Sequence, residues 1–171
     1  MPSNISLIIG NCISLIAAIF TAKSAYDKDR WNIYIDQVIQ CALLAIASIF
    51  FNSYAGIVTL VICAVRNLLL AYDKFGKKSL IVSLILLLAL GFYLNNRGYI
   101  GIIVIMANVI YTLGCYLAKR ELTMKINIAL DMIMWMIYEV LIIDIPSLVA
   151  DSVTLVLAIV AIYKCMKKAE F

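Results

Sequence analysis

Apolar residues run along the chain in seven long blocks separated by short polar breaks. A helix crossing the hydrocarbon core of a bilayer needs about 20 mainly apolar residues, with roughly 17–25 tolerated. The blocks predict spans at 5–22, 33–51, 55–72, 79–95, 99–118, 126–143 and 147–163. The breaks hold residues that stop helices. Lys23 to Arg30 is charged, Asn52-Ser53 is a tight turn, and Asp73 to Lys78 contains Gly76; Asn95 to Gly98 and Lys119 to Lys125 follow. Pro146 opens the last span, where the amide hydrogen it lacks would have no helical partner anyway.

Composition agrees with this pattern. Of 171 residues, 65% are hydrophobic and 14% charged, against about 45–50% and 25% in soluble domains. A soluble fold of this length has too little interior to hide so much apolar surface, whereas a bilayer makes hydrocarbon the solvent. Twelve Lys and Arg fall in alternate breaks and the C-terminal tail: Lys23, Lys28, Arg30; Lys74, Lys77, Lys78; Lys119, Arg120, Lys125; Lys164, Lys167, Lys168. The other breaks and the N-terminus hold only Arg97. Basic loops stay in the cytoplasm, so the expected topology is N-terminus outside and C-terminus cytoplasmic. The first span carries its positive charges after it, not before, which argues against a cleaved signal peptide. The net charge of +4 is dispersed between apolar runs and is no nucleic-acid footprint. The chain has no histidine, and its five cysteines lie in or at the ends of apolar runs without a C-x-x-C pair. A Cys/His metal site is thereby excluded, no cofactor is expected, and the cysteines read as small core residues.

The chain also shows signs of internal duplication. An offset of 95 residues carries Asn32-x-x-x-Asp36 onto Asn127-x-x-x-Asp131 and Val58-Thr59-Leu60-Val61 onto Val153-Thr154-Leu155-Val156. A small shift in the first loop carries Asn11 onto Asn108. With one helix between the copies, both point the same way across the membrane, as in parallel-repeat transporters with a site between the repeats. The expected fold class is an all-α membrane protein of seven transmembrane helices. It is read as two parallel three-helix bundles, 1–74 and 98–171, joined by a linker helix at 75–97 (3+1+3).

Polar groups inside hydrocarbon need a partner or a water-filled cavity, so they are the candidate functional residues. The second span carries Asn32, Asp36 and Gln40 at four-residue spacing, hence on one face; the sixth carries Asn127, Asp131, Trp135 and Glu139. Asn32 and Asn127 read equally well as helix fasteners. Asn11 and Asn108 either bind a solute or tie helices together. Trp135, mid-span, suits stacking on a flat solute or plain packing. Arg66-Asn67 lie deep in the third span. An arginine there either snorkels or finds a carboxylate, and Asp36, at comparable depth, is the expected ion-pair partner. Asp151 is read as a hydrated vestibule residue or a local cap. With no histidine and no Gly-rich phosphate loop, no nucleophile–base group is visible, and no enzymatic role is expected.

Val65-Arg66-Asn67-Leu68-Leu69, Leu122-Thr123-Met124-Lys125 and Trp135-Met136-Ile137-Tyr138 resemble the YgjV-type bacterial inner-membrane proteins. That family in turn is similar to SWEET, PQ-loop and PnuC-like transporters, which share the three-plus-one-plus-three plan. The resemblance implies a facilitator in the bacterial inner membrane with a pocket between the two triple-helix bundles. SWEET-type relatives place prolines as hinges in the first two helices of each bundle; this chain has only Pro2 and Pro146, so a proline-hinged rocking motion is not expected. The combined expectation is alternating-access transport of a small polar solute, nucleoside-like or vitamin-like. The expected solute contacts are Asn11, Asp36, Gln40, Arg66, Asn67, Asn108, Asp131, Trp135 and Glu139. The expected partners are the bilayer and the solute, without nucleic acid, and self-association stays open. The competing expectation is a non-transporting scaffold or sensor whose polar residues only hold helices together.

Overall fold

A computed structural model describes residues 3–26, 29–117 and 121–169; Lys28, Lys119 and Arg120 of the positive-inside count lie outside them. The described residues form seven helices and no strand: α1 (Asn4–Tyr26), α2 (Arg30–Phe50), α3 (Tyr54–Ala71), α4 (Lys77–Tyr93), α5 (Tyr99–Leu117), α6 (Glu121–Ile142) and α7 (Ile145–Ala169). Each predicted span overlaps one helix. Five of the seven are long and apolar enough to cross a membrane. The shortest, α4, has 17 residues, about 25 Å at 1.5 Å per residue. Lys125, Asp131 and Glu139 interrupt the apolar run of α6.

The turns follow local chemistry. After α2, α3 and α6 the chain passes through one left-handed residue, Asn52 (φ 53°), Asp73 (φ 53°) and Ile143 (φ 64°). In each case the next amide reaches back five residues: Ser53 to Ser48, Lys74 to Leu69, Asp144 to Glu139. This is the hydrogen-bond pattern of a Schellman stop. Asn and Asp tolerate that conformation; β-branched Ile143 does so at a cost. Ser53 and Asp144 then cap the following helices, accepting from Gly56 and Ser147 amides. Pro146 lies in the first turn of α7.

The helices pack in sequence order, α1 on α2 on α3 and α5 on α6 on α7. Helix α3 also packs on α5, and α7 returns to α1, so six helices close a ring; α4 lies against α3 and α5. Among the described residues α1 does not pack on α3, nor α5 on α7. Each trio is therefore an arc, where three-helix bundles were expected. Along the helices the outward-facing side chains are largely apolar, as with Ile19, Ile85 and Val156, all more than half exposed; hydrocarbon is the solvent such a surface requires. The interior mixes small apolar with polar side chains, the composition that lets membrane helices approach closely. Phe51 fills the space left by Gly10, and Ser14, Thr59 and Thr112 are fully buried.

An offset of 91 residues also relates features of the structure. The stops at Asn52 and Ile143 are 91 residues apart, as are the caps Ser53 and Asp144. The same offset joins buried positions in all three helices: Gly10 and Gly101, Ser14 and Ile105, Ala17 and Asn108, Thr21 and Thr112, Asp36 and Asn127, Ser48 and Glu139, Leu60 and Asp151. It also carries Ile9-Gly10 onto Ile100-Gly101, and Ile19-Phe20-Thr21 onto Ile110-Tyr111-Thr112. At this offset Asp36 falls on Asn127 and Thr59 on Ala150, where the offset of 95 gives Asp131 and Thr154. The slip is four residues, close to one helical turn, which leaves every side chain on nearly the same face.

Candidate functional site

A cavity of about 80 Å³ lies inside the ring. Four of the six ring helices reach it with residues at i, i+3 and i+4 spacing, the signature of a single helical face. From α2 come Gln37, Gln40, Cys41 and Leu44; from α3, Leu60, Cys63, Arg66 and Asn67. From α5 come Asn108 and Tyr111; from α6, Asp131, Met132, Trp135 and Glu139; α7 adds Asp151. Seven of the residues expected from sequence therefore meet here. Gln37, Tyr111, Asp151 and the thiols of Cys41 and Cys63 join them. Gln37 and Tyr111 each lie three residues from an expected contact, Gln40 and Asn108, and so on the same face; that spacing was the available signal.

Arg66 is 3% exposed, and all its partners are neutral. Its Nη1 donates to Thr112 Oγ1 at 3.0 Å, and its Nε and Nη2 donate to Asn67 Oδ1 at 3.2 and 3.1 Å. Its guanidinium carbon lies 4.7 Å from the Tyr111 ring centroid. Three of the five guanidinium N–H groups are so engaged. An uncompensated arginine at this depth costs about 2.5–3.5 kcal/mol on insertion scales; the cation–π contact offsets about 0.5–2 kcal/mol. Around it, Asn67 Nδ2 donates to Cys41 Sγ, Cys63 donates to Asn108 Oδ1, and Asn108 Nδ2 donates to Val104 O at 2.8 Å.

On the other side of the cavity, Asp131 and Glu139 are 6% and 3% exposed. Asp131 Oδ1 and Glu139 Oε2 accept no hydrogen bond. Leaving such an atom unmet costs about 1–3 kcal/mol, so Asp131 points to something the cavity is built to hold, while Glu139 also has a carboxyl neighbour to share a proton with. Asp151 of α7 faces Glu139. Among the described residues no three Cys, Asp or Glu converge as metal ligands.

Two expected contacts lie elsewhere. Asp36 does not meet Arg66: it accepts from Lys23 Nζ at 2.7 and 2.9 Å, tying α1 to α2. Depth alone suggested the Arg66 pairing. Direction decides otherwise, because Asp36 faces α1 while Arg66 faces α5. Asn11 lies at the ring's edge, donating to Leu7 O and Ile143 O and accepting from the Ile145 amide. It splices α1 to the α6–α7 turn. Asn127 also fastens helices, donating to Tyr111 O at 3.2 Å.

At the end that carries Asn52, Arg97 and Ile143, further bonds join distant segments. Ser14 donates to Asp144 Oδ2 at 2.7 Å, Tyr138 donates to Ser53 Oγ at 2.6 Å, and Arg97 donates to Phe51 O and Asn52 O. Comparison with known proteins gives one family: residues 8–169 match Imp-YgjV, described as bacterial inner membrane protein. No curated protein and no solved structure matches the chain.

Proposed function

The chain belongs to the Imp-YgjV family of bacterial inner membrane proteins, and we propose that within that membrane it is a facilitator that carries a small polar solute by alternating access. One observation carries this reading: a polar cavity inside the ring, faced by buried carboxyl oxygens without partners. A protein whose polar residues served only to fasten helices would have them satisfied, as Asn11, Asp36 and Asn127 are. The 91-residue correspondence supports a duplicated, parallel pair of trios with the cavity between them, an arrangement suited to one trio rocking against the other. The charge pattern supports an outward N-terminus and cytoplasmic C-terminus. The Arg97 end is then the external one, and the bonds of Asn11, Ser14, Tyr138 and Arg97 hold that end closed.

The cavity size narrows the solute. An engineered apolar cavity of about 150 Å³ takes benzene, so a cavity of about 80 Å³ favours a compact solute. A nucleoside exceeds this; a solute of a few non-hydrogen atoms fits. The test is a metabolite panel screened by thermal shift on purified protein, followed by uptake of each hit into proteoliposomes. Uptake that saturates and falls with Asp131→Asn is expected. Stabilisation by a hit without uptake would favour a sensor, and stabilisation by none would favour a scaffold.

A further inference from the structure

The cavity divides its charges between the two trios. The first contributes Arg66 and no carboxylate; the second contributes Asp131, Glu139 and Asp151 and no cation. Arg66 stands twelve residues from the start of α3 and Asp131 eleven from the end of α6. At 1.5 Å per residue both lie about 17–18 Å from the Arg97 end. They are level, both nine-tenths buried or more, and both face the cavity, yet they do not pair. Arg66 takes only neutral partners, and Asp131 Oδ1 takes none.

We infer that this cavity is a site for a small zwitterion, whose ammonium group meets Asp131 and whose carboxylate meets Arg66. Each half of such a solute supplies what the protein leaves out. The ammonium donates to the unmet Asp131 oxygen. The carboxylate accepts from the two guanidinium N–H groups not bonded to Asn67 and Thr112, in the planar geometry arginine offers an anion. A lone cation would leave Arg66 uncompensated, and a lone anion would leave Asp131 so. Asn108, about one turn nearer the Arg97 end, keeps one amide N–H for a further polar group of the solute. The space admits an amino acid of a few non-hydrogen atoms and no large side chain. This inference rests on the cavity being the solute site of the function proposed above.

The probes are β-alanine and γ-aminobutyrate as zwitterions, with ethylammonium and propionate as their separate halves. Binding is measured by thermal shift and calorimetry on the full-length protein in nanodiscs, and uptake is followed in proteoliposomes. At least tenfold tighter binding of one zwitterion than of either half is expected. Asp131→Asn should abolish that advantage while keeping propionate binding, and Arg66→Gln should abolish it while keeping ethylammonium binding. This opposed change in selectivity separates a role in recognition from general damage. If a variant fails to purify as a single species, the four-probe comparison on the unaltered protein still decides. Equal binding of a zwitterion and one of its halves, or no binding of any probe, overturns the inference. Tight zwitterion binding without uptake leaves it standing and removes the facilitator reading; uptake of a different solute class does the reverse.

Discussion

The contact between Gly56 and Tyr138 offers a sharp test of how the two trios are joined. Gly56 lies in the first turn of α3 in ordinary helical conformation, so alanine there fits the backbone and would gain about 1 kcal/mol of helix propensity. The surroundings oppose it. An added Cβ would stand 2.6 Å from the Tyr138 hydroxyl oxygen and 3.0 Å from the hydroxyls of Ser48 and Ser53. Tyr138 is 1% exposed, so its ring has no room to swing, and its hydroxyl already bonds Ser53 at 2.6 Å. Forcing it aside costs about 1–3 kcal/mol in overpacking and about 1–3 kcal/mol more if the buried hydroxyl loses its partner. Gly56→Ala should therefore destabilise by about 2–4 kcal/mol net, or roughly 5–12 °C in melting temperature at this chain length. Tyr138→Phe alone forfeits one hydrogen bond, worth about 1 kcal/mol. In the double variant the colliding oxygen is gone, so the loss should fall short of the sum by about 1–3 kcal/mol. Thermal unfolding in nanodiscs, followed by fluorescence of Trp31 and Trp135, measures all four proteins. Strictly additive losses, or an alanine variant as stable as the parent, would show that Tyr138 does not lie over Gly56.

Four further outcomes are expected. Asp36→Asn and Arg66→Gln should lower melting temperature independently, their losses adding within about 0.5 kcal/mol. Asp36→Asn and Lys23→Gln should couple, by under about 1 kcal/mol because Lys23 is 56% exposed. Burial pushes the Asp144 carboxyl up from 3.8, and hydrogen bonds from Ser14 and Ser147 pull it partly back. A raised folded value means the ionised form is disfavoured: this group's stabilising contribution is full below 3.8 and is lost as pH rises through the folded value. The melting-temperature difference, parent minus Asp144→Asn, should thus shift in the parent's favour as pH falls from about 7.5 to about 4; a pH-independent difference would refute it. In a background without native cysteines, new cysteines at exposed Tyr99 and Ile145 should react with an impermeant maleimide on intact cells, and one at Gly76 only after permeabilisation. Labelling on the wrong face at two of these would overturn the topology.

Spans were legible because each break carries residues that hydrocarbon rejects or helices reject, such as Asn52-Ser53 and Gly76. The identities of most cavity residues were legible for the same reason: Arg66, Asn108, Asp131 and Glu139 are too costly to face lipid, so they had to face inward. What polarity does not report is which inward direction. Asn11 and Asp36 are as polar as Asn108 and Asp131, yet they spend their hydrogen bonds on the α6–α7 turn and on Lys23. Span depth placed Asp36 level with Arg66, but ion pairing needs direction as well, and that is fixed by the neighbours α2 acquires on packing. Ring closure by α3 on α5 and α7 on α1 is likewise a tertiary fact without a sequence mark.

The register of the proposed duplication bears on function. An offset of 95 makes Asp36 and Asp131 equivalent. At the offset of 91 that relates the stops and caps, the equivalences change. Lys23 with Asp36, joining α1 to α2, now corresponds to Gly114 against Asn127, joining α5 to α6: both are fasteners. Gln40 corresponds to Asp131, Leu60 to Asp151, and Leu44 to Trp135, and all six line the cavity. Arg66 corresponds to Leu157, which is half exposed on the outer face. Equivalent positions thus supply neutral groups on one side and carboxyls on the other, with the lone cation on the neutral side. On the proposed duplication, two similar arcs would enclose a cavity of nearly uniform lining; divergence at these few positions gives it opposite ends. A solute that bridges them also bridges the two trios. Binding would then draw the trios together through the solute, which couples occupancy to the rocking that alternating access requires.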